Sequence, residues 1–268
     1  MRMAYSVSIM LIVLAGVSAS NAQQAADPRM SELLQAGKIR IAMFEGQYSK
    51  DTTTGEVRGV ALGIISIELV RRLADRLGIN VEIQGYTSPA EVVQCLQRGG
   101  CDVGFMGANP ARASEVGFSP PFLASDFTYL VPADSSIRTV ANADQLGVRI
   151  AAVPRHQSTL VLQGVLKSGQ LVPAETLDGA FDLLRTGRAD ALASVRSALL
   201  EYSAKLSGSR VLEDSYGANL LSIAVSRNRI GQLTYISEFV EDAKRSGLLQ
   251  QILERSGQRG ARVTAASQ

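Results

Sequence analysis

Cys101-Asp102-Val103-Gly104-Phe105-Met106-Gly107-Ala108-Asn109-Pro110-Ala111-Arg112-Ala113-Ser114-Glu115-Val116-Gly117-Phe118-Ser119-Pro120-Pro121-Phe122 is the stretch from which the rest of the chain is read. Asp102 to Met106 reads as a buried strand, Asn109 as an N-cap with Pro110 in the first helical position, and Arg112 falls within the first turn. That order suits an anion. Gly107 and Ala108 let a ligand approach the backbone, and a helix start offers free N–H groups at the positive end of a dipole. Arg112 adds a two-pronged donor that fits a carboxylate. An arginine in a first turn also serves as a solvated residue or a structural ion pair, so spacing alone leaves both readings open.

Outward from this stretch, the composition sets the class. The chain has 268 residues, 46% hydrophobic and 19% charged, with a net charge of +2, as expected for one large domain or two modest ones. Basic residues are dispersed and only 5% of the chain is aromatic, which argues against nucleic acid. Arg2 precedes an apolar run from Ile9 to Val17, and Ser20-Asn21-Ala22 has the small-x-small form of a signal peptidase site. Met1 to Ala22 therefore reads as a secretory signal. The apolar core is too short to span a bilayer of about 30 Å. A periplasmic location follows. The cysteines are Cys95 and Cys101, around Gly99-Gly100. An oxidising compartment would allow a short-loop disulfide, the alternative being that Cys95 is a small buried hydrophobe. With two Cys and one His, neither a metal nor a cofactor is expected.

Taken in order, Lys38 to Phe44 is a strand, and Phe44, Glu45, Gln47 and Tyr48 occupy its C-terminal end, where open α/β sheets bind ligands. Phe44 also suits a core, while Tyr48 is expected exposed and free to stack. Leu62 to Leu77 is an amphipathic helix stopped by Gly78, Asn80 to Gln84 a second strand, and Ser88-Pro89-Ala90-Glu91 a capping box opening a helix to Arg98. This alternation implies a mostly parallel sheet. After the strand Phe127 to Val131 a polar break at Pro132 to Ser136 reads as a crossing to a second lobe. The pattern then restarts: strand Val148 to Val153, helix Ser158 to Lys167, helix Asp178 to Thr186, strand Asp190 to Ser194. Leu96-x-x-Gly99-x-x-Asp102 and Leu184-x-x-Gly187-x-x-Asp190 occupy the same place in the two units. Strands Arg210 to Glu213 and Leu220 to Val225 and helices Ile230 to Arg245 and Leu248 to Arg255 close the chain, with a frayed tail expected from Gly257.

The segment Asp102 to Phe122 resembles the signature of the family 3 extracellular solute-binding proteins: an Asp-x-x-x-x-Gly strand, a Thr-Pro-x-Arg turn and an aromatic-Ser-x-Pro-aromatic segment. Here these are Asp102 to Gly107, Asn109-Pro110-Ala111-Arg112 and Phe118-Ser119-Pro120-Pro121-Phe122. The resemblance implies an α/β fold of the two-lobed periplasmic-binding-protein type (type II, Venus-flytrap), each lobe a mostly parallel sheet flanked by helices. Residues 23–131 and 222–268 would form the first lobe and 132–221 the second. It implies Arg112 as the grip on a ligand carboxylate; Phe44, Glu45, Tyr48, Phe105, Gly107, Ala108 and Asn109 are candidate contacts beside it, and His156, Gln157, Ser158, Thr159 and Arg196 are candidates from the second lobe. It also implies an ABC transporter permease as partner and a monomer as the working state.

Several positions depart from the pattern. Gly59-Val60-Ala61-Leu62-Gly63 stands where the family has Gly-Phe-x-x-Asp, and His156-Gln157-Ser158-Thr159 where it has Gly-Ser/Thr-Thr. Ser194-Val195-Arg196 stands where amino acid binders present an Asp to the ligand ammonium. A buried ammonium without a carboxylate partner is costly. An inward Arg196 would favour an anionic solute, and an outward one would leave that end neutral; Glu45 could supply a carboxylate from the other lobe. The expected function is capture of a small carboxylate-bearing solute, amino acid-like or an organic acid, with no catalysis. The alternatives are a dehydratase-like enzyme acting on a cyclic prephenate-like acid, for which Glu45, His156 and Glu201 are candidate acids, and a periplasmic ligand sensor that works without transport.

Overall fold

A computed structural model describes residues 27–267 apart from 45–46, 55–56, 109 and 155, so the expected signal sequence, Glu45 and Asn109 lie outside the described residues. One curled sheet carries both lobes. Its strands run in the order Asn80–Tyr86, Lys38–Phe44, Val103–Gly107, Gly217–Ser226, Leu123–Val131, Ala191–Val195, Arg149–Ala152 and Gln170–Pro173. The three outer strands at each end are mutually parallel, as the β-α-β pattern requires. The two central strands are long and antiparallel to each other, pairing Gly217–Leu221 with Phe127–Leu123. Beyond that shared ladder they part. Leu221–Ala224 continues against Gly107–Gly104 of the first lobe, while Phe127–Leu130 continues against Val195–Leu192 of the second.

Burial follows the same division. Ile39, Ile41, Leu69, Leu73, Phe105, Ile223, Ile236 and Leu249 belong to one large cluster that the helices Gly63–Leu77, Ile230–Arg245 and Leu248–Ser256 help to close. Tyr129, Ile150, Leu162, Leu184, Leu192 and Leu199 fill separate clusters on the two faces of the second lobe's sheet. No helix among the described residues is long and apolar enough to cross a membrane.

The sequence echo is a structural one. In the first lobe Asp102 accepts from Arg40 N at 2.8 Å, from its Nε at 3.0 Å and from its Nη2 at 2.8 Å. In the second lobe Asp190 accepts from Arg149 N at 2.8 Å, Nε at 3.1 Å and Nη2 at 2.7 Å. In both, a glycine three residues earlier turns the chain with positive φ, Gly99 at 68° and Gly187 at 69°. Each carboxylate thereby ties the residue just before one strand to a residue early in a neighbouring strand, which sets the register of the parallel pair. The clamps differ in burial: Asp102 is 2% exposed and also receives Arg229 Nη1 at 3.2 Å, whereas the Arg149 and Asp190 side chains are 40% and 37% exposed.

Cys95 and Cys101 are joined as a disulfide, with Cα atoms 5.5 Å apart. A Cβ on Gly100 would lie 3.1 Å from Cys95 Sγ, which is why a glycine stands inside so short a loop. The Ser88 cap forms as expected, accepting from Glu91 N at 3.3 Å, although the returning carboxylate bonds Thr87 N at 2.9 Å rather than the cap's own amide.

Three expectations are corrected. The helix after Gly107 is a single turn, Pro110–Ala113, cut short because Val116–Phe118 pairs as a strand with Ser226–Ala224, so it has no long dipole to offer an anion. The tail is not frayed: Ala261–Val263 pairs antiparallel with Ser125–Leu123, and Ser267 N donates to Glu241 Oε2 at 2.7 Å. Arg196–Ser203 is an unforeseen helix directly after the strand Ala191–Val195.

Asp102→Ala is expected to lower unfolding free energy by about 3 kcal/mol, because it leaves two guanidinium groups facing a buried gap. Asp190→Ala, at the more solvated clamp, should cost about 1 kcal/mol. Urea titration of both variants checks the order, and equal losses would mean that burial does not grade the two clamps.

Candidate functional site

A cavity of about 580 Å³ opens where the lobes meet the central strands. The first lobe contributes Gln47, Ala61 and Leu62, the central strands Ser125, Phe127 and Asn219, and the second lobe His156, Gln157, Ser158, Ser194, Val195 and Ser197. Another cavity, of about 410 Å³, lies on the outside of the first lobe among Arg58, Glu68, Arg71 and Arg255. Its walls come from one lobe only, so it cannot be closed by movement of the other.

The first-lobe wall is built by close backbone packing. Gln47 O accepts from Val60 N at 2.7 Å and fills the space that a Cβ on Gly63 would need, so the helix start and the loop can approach only with glycine at that position. Between them Ala61 has φ of 49°, the single non-glycine residue with positive φ among the described residues. A strained residue in a cavity wall is a common mark of a functional loop. Gln47 Oε1 is buried here without a hydrogen-bond partner.

In the second lobe the wall is formed at two chain turns. His156 has extended backbone (φ −65°, ψ 144°) and precedes the helix Gln157–Val165, with its side chain exposed. Ser158 in the first turn is buried and faces the cavity, whereas Thr159 Oγ1 donates to Val153 O at 2.8 Å and is directed into the lobe. The strand Ala191–Val195 ends at Ser194 and Val195, and Ser197 follows in the next helix.

Under the floor, Tyr216 stacks between Phe127 and Tyr129, at centroid distances of 6.2 and 5.0 Å. Burial holds the phenols of Tyr129 and Tyr216 well above the ordinary tyrosine range. The Ser158 hydroxyl lies close enough to Tyr216 to oppose that rise slightly, yet without the geometry of a hydrogen bond, and the Tyr216 hydroxyl has no partner.

The expected site residues divide clearly. His156, Gln157 and Ser158 line the cavity. Arg112 does not: its Nη1 donates to Gly107 O at 2.9 Å, at the end of the strand that pairs with the central strand carrying Asn219. Ala108 N donates to Leu220 O at 3.2 Å, so Gly107 and Ala108 act through their backbone in joining the signature stretch to the central strand. Phe105 is wholly buried, packed edge-on to Phe122 at 5.8 Å, and belongs to the core because alternate residues of its strand face the first-lobe helices. Phe44 packs beside the cluster that contains Cys95 and Met106. Tyr48 is half-buried rather than free, with its hydroxyl in the space that a Cβ on Gly85 would take. Arg196 is turned away and engaged: Nη1 donates to Leu212 O at 2.6 Å, Nη2 to Glu213 O at 2.8 Å, and Nε lies 3.8 Å from Asp126 Oδ2. Of the two expected alternatives, the outward one describes it. Glu201 is exposed on the following helix, outside the cavity wall.

Ser194 and Val195 stand at the position where the resemblance puts a ligand contact, whereas Ser125, Phe127, Ser197, Asn219, Ala61 and Leu62 were not foreseen as lining residues. The available signal was polarity inside strands: Ser125, Ser194 and Asn219 interrupt otherwise apolar runs, which is what a strand facing a cavity rather than a core requires.

The sequence profile of the bacterial extracellular solute-binding proteins, family 3, matches residues 48–258. No sequence among the curated proteins matches significantly. Among solved structures, an ancestral cationic amino acid solute binding protein superposes with TM-score 0.65 at 22% identity, covering 84% of this chain and 98% of its own. An amino acid ABC transporter substrate-binding protein from Streptococcus pneumoniae bound to L-arginine gives 0.59 at 22% identity, covering 89% and 99%. An ancestral cyclohexadienyl dehydratase gives 0.58 at 22% identity, covering 86% and 96%. At these identities the likeness speaks for the fold, the two-lobed type II periplasmic-binding-protein fold.

Raised phenol pKa values carry a pH consequence. The unfolded chain ionises its tyrosines near pH 10 while folded Tyr129 and Tyr216 stay protonated, so stability is full below about pH 10 and declines above it. Tyr216→Phe should flatten that decline in denaturant titrations between about pH 9 and pH 11; an unchanged slope would show that Tyr216 ionises freely in the folded state.

Proposed function

Because the chain belongs to the bacterial extracellular solute-binding proteins of family 3, we propose that it captures a small carboxylate-bearing solute between its two lobes and delivers it to an ABC-type permease. The observation that carries this reading is the cavity of about 580 Å³ whose walls come from both lobes and from the strands that join them. A solute there touches surfaces that can move relative to each other, so binding favours a closed arrangement that a permease can recognise. In this reading residues 23–131 and 222–268 form the first lobe and 132–221 the second. The chain is a periplasmic monomer released after cleavage of Met1–Ala22.

Arg112 is the carboxylate grip. Its guanidinium is already seated on Gly107 O, and exchange of a neutral carbonyl for a carboxylate gives the stronger, charge-assisted pair. His156, Gln157 and Ser158 supply the contacts from the second lobe, which join the solute to both sides of the cleft.

A binder needs no proton donor, whereas a dehydratase acting on a cyclic acid needs one beside the leaving group. None of the described lining residues is Asp, Glu or Lys, and His156 sits exposed at the rim. We therefore infer a binding rather than a catalytic role.

A thermal-shift screen of the mature chain tests the reading. A true ligand at a hundred times its dissociation constant should stabilise by about 2.7 kcal/mol. Arg112→Ala should abolish the shift while the unliganded midpoint stays close to that of the parent. Persistence of the shift in Arg112→Ala would remove the guanidinium from the site, and turnover of a prephenate-like acid by the purified protein would replace the binder with an enzyme.

A further inference from the structure

The cavity wall contains polar groups that the protein itself leaves unpaired. Ser125 and Ser194 are each 4% exposed, both face the cavity, and no described residue hydrogen-bonds to either hydroxyl. Gln47 Oε1, on the opposite wall, is buried and unpaired as well. Hydroxyls buried within the lobes are used differently. Thr128 Oγ1 donates to Asp214 O at 2.7 Å, Thr159 Oγ1 to Val153 O at 2.8 Å, and Ser119 Oγ to Pro120 O at 2.9 Å. Ser222 and Tyr216 are buried exceptions that do not line the cavity. Buried polar side chains are normally satisfied, so polar groups left without a protein partner around one cavity are available to something that enters it.

Their chemistry narrows what enters. None of the described lining residues is Asp, Glu, Lys or Arg. The adjacent guanidinium of Arg196 is held by the Leu212 and Glu213 carbonyls and by Asp126. Among the described lining residues an ammonium or guanidinium group finds no counter-charge to offset its lost hydration. A hydroxyl group suits the wall: Gln47 Oε1 can only accept, and a serine hydroxyl both donates and accepts.

Resting on the binder reading above, we propose that the solute is a hydroxylated carboxylic acid, a hydroxy acid or sugar acid, whose uncharged hydroxyl end is read by Ser125, Ser194 and Gln47. Ser125 and Ser194 determine specificity from neighbouring strands, Ser194 in register with Thr128, three residues along the strand from Ser125. The amino acid that differs from such a solute by an ammonium in place of the hydroxyl is rejected by the missing charge partner rather than by size.

Matched pairs test this with the full mature chain: glycerate against serine, lactate against alanine, and gluconate against lysine and arginine, by thermal shift and calorimetric titration. At least one hydroxy acid should bind, with its amino acid counterpart at least about tenfold weaker. Ser194→Ala should weaken the hydroxy acid by about tenfold without moving the unliganded midpoint, and Ser194→Asp should reverse the preference toward the amino acid. Should Ser194→Asp not fold, Ser125→Ala provides the same loss of hydroxy acid affinity as an independent readout. Amino acids binding more tightly than their hydroxy acid partners would overturn the inference while leaving the binder reading intact, and loss of that binding in Glu45→Gln would identify the carboxylate responsible. Absence of a shift with every acid of either class would overturn both.

Discussion

The backbone ladder between the two long central strands, Leu123–Val131 and Gly217–Ser226, is the constraint on which the molecule depends. Five residues of each strand pair with one another, and beyond them the two strands diverge into different lobes. Antiparallel pairing at this point lets one sheet serve two cores. It also places Ser125, Phe127 and Asn219 in the stretch between the cores, where a side chain meets the cavity. The C-terminal strand Ala261–Val263 covers the other edge of Ser125–Leu123, so the crossing is bounded on both sides by backbone hydrogen bonds.

Within each lobe the parallel strands are registered by the same device. Arg40 with Asp102, and Arg149 with Asp190, place a carboxylate at the start of one strand on both the amide and the guanidinium of its neighbour. A third carboxylate, Asp126, works at the crossing itself. It is approached by Arg196 of the second lobe and by Arg262 of the C-terminal strand, at 3.8 and 3.2 Å. That arrangement explains why Arg196, although it follows a cavity residue directly, is unavailable to a solute: the carbonyls of Leu212, Glu213 and Asp214 and the Asp126 carboxylate already hold it.

The cavity that results carries no fixed charge among its described residues, and one of its walls includes the strained Ala61. Charge stands outside the described lining instead, where Arg112 donates to Gly107 O. On the proposed reading this divides the labour. A guanidinium beside the cleft supplies attraction to an acid, and uncharged hydroxyl and amide groups decide which acid.

Periodicity determined most of the elements. The strand Lys38–Phe44 and the helix ending at Leu77 follow from apolar spacing and from Gly78, and the duplicated Leu-x-x-Gly-x-x-Asp phrase announced two like units, because local turn chemistry and side-chain alternation are written in neighbouring residues. The signature from Asp102 to Phe122 was enough to point to the family. What the linear chain could not specify were meetings between distant segments: the tail at Ala261–Val263 joining the strand that begins at Leu123, Ser125 and Asn219 arriving at the same cavity, and Arg196 turning to the carbonyls of Leu212 and Glu213. A residue's neighbours across a sheet depend on register and on the path of the whole chain, so only the tertiary structure decided which polar residues would face the cleft and which would be spent in holding it together.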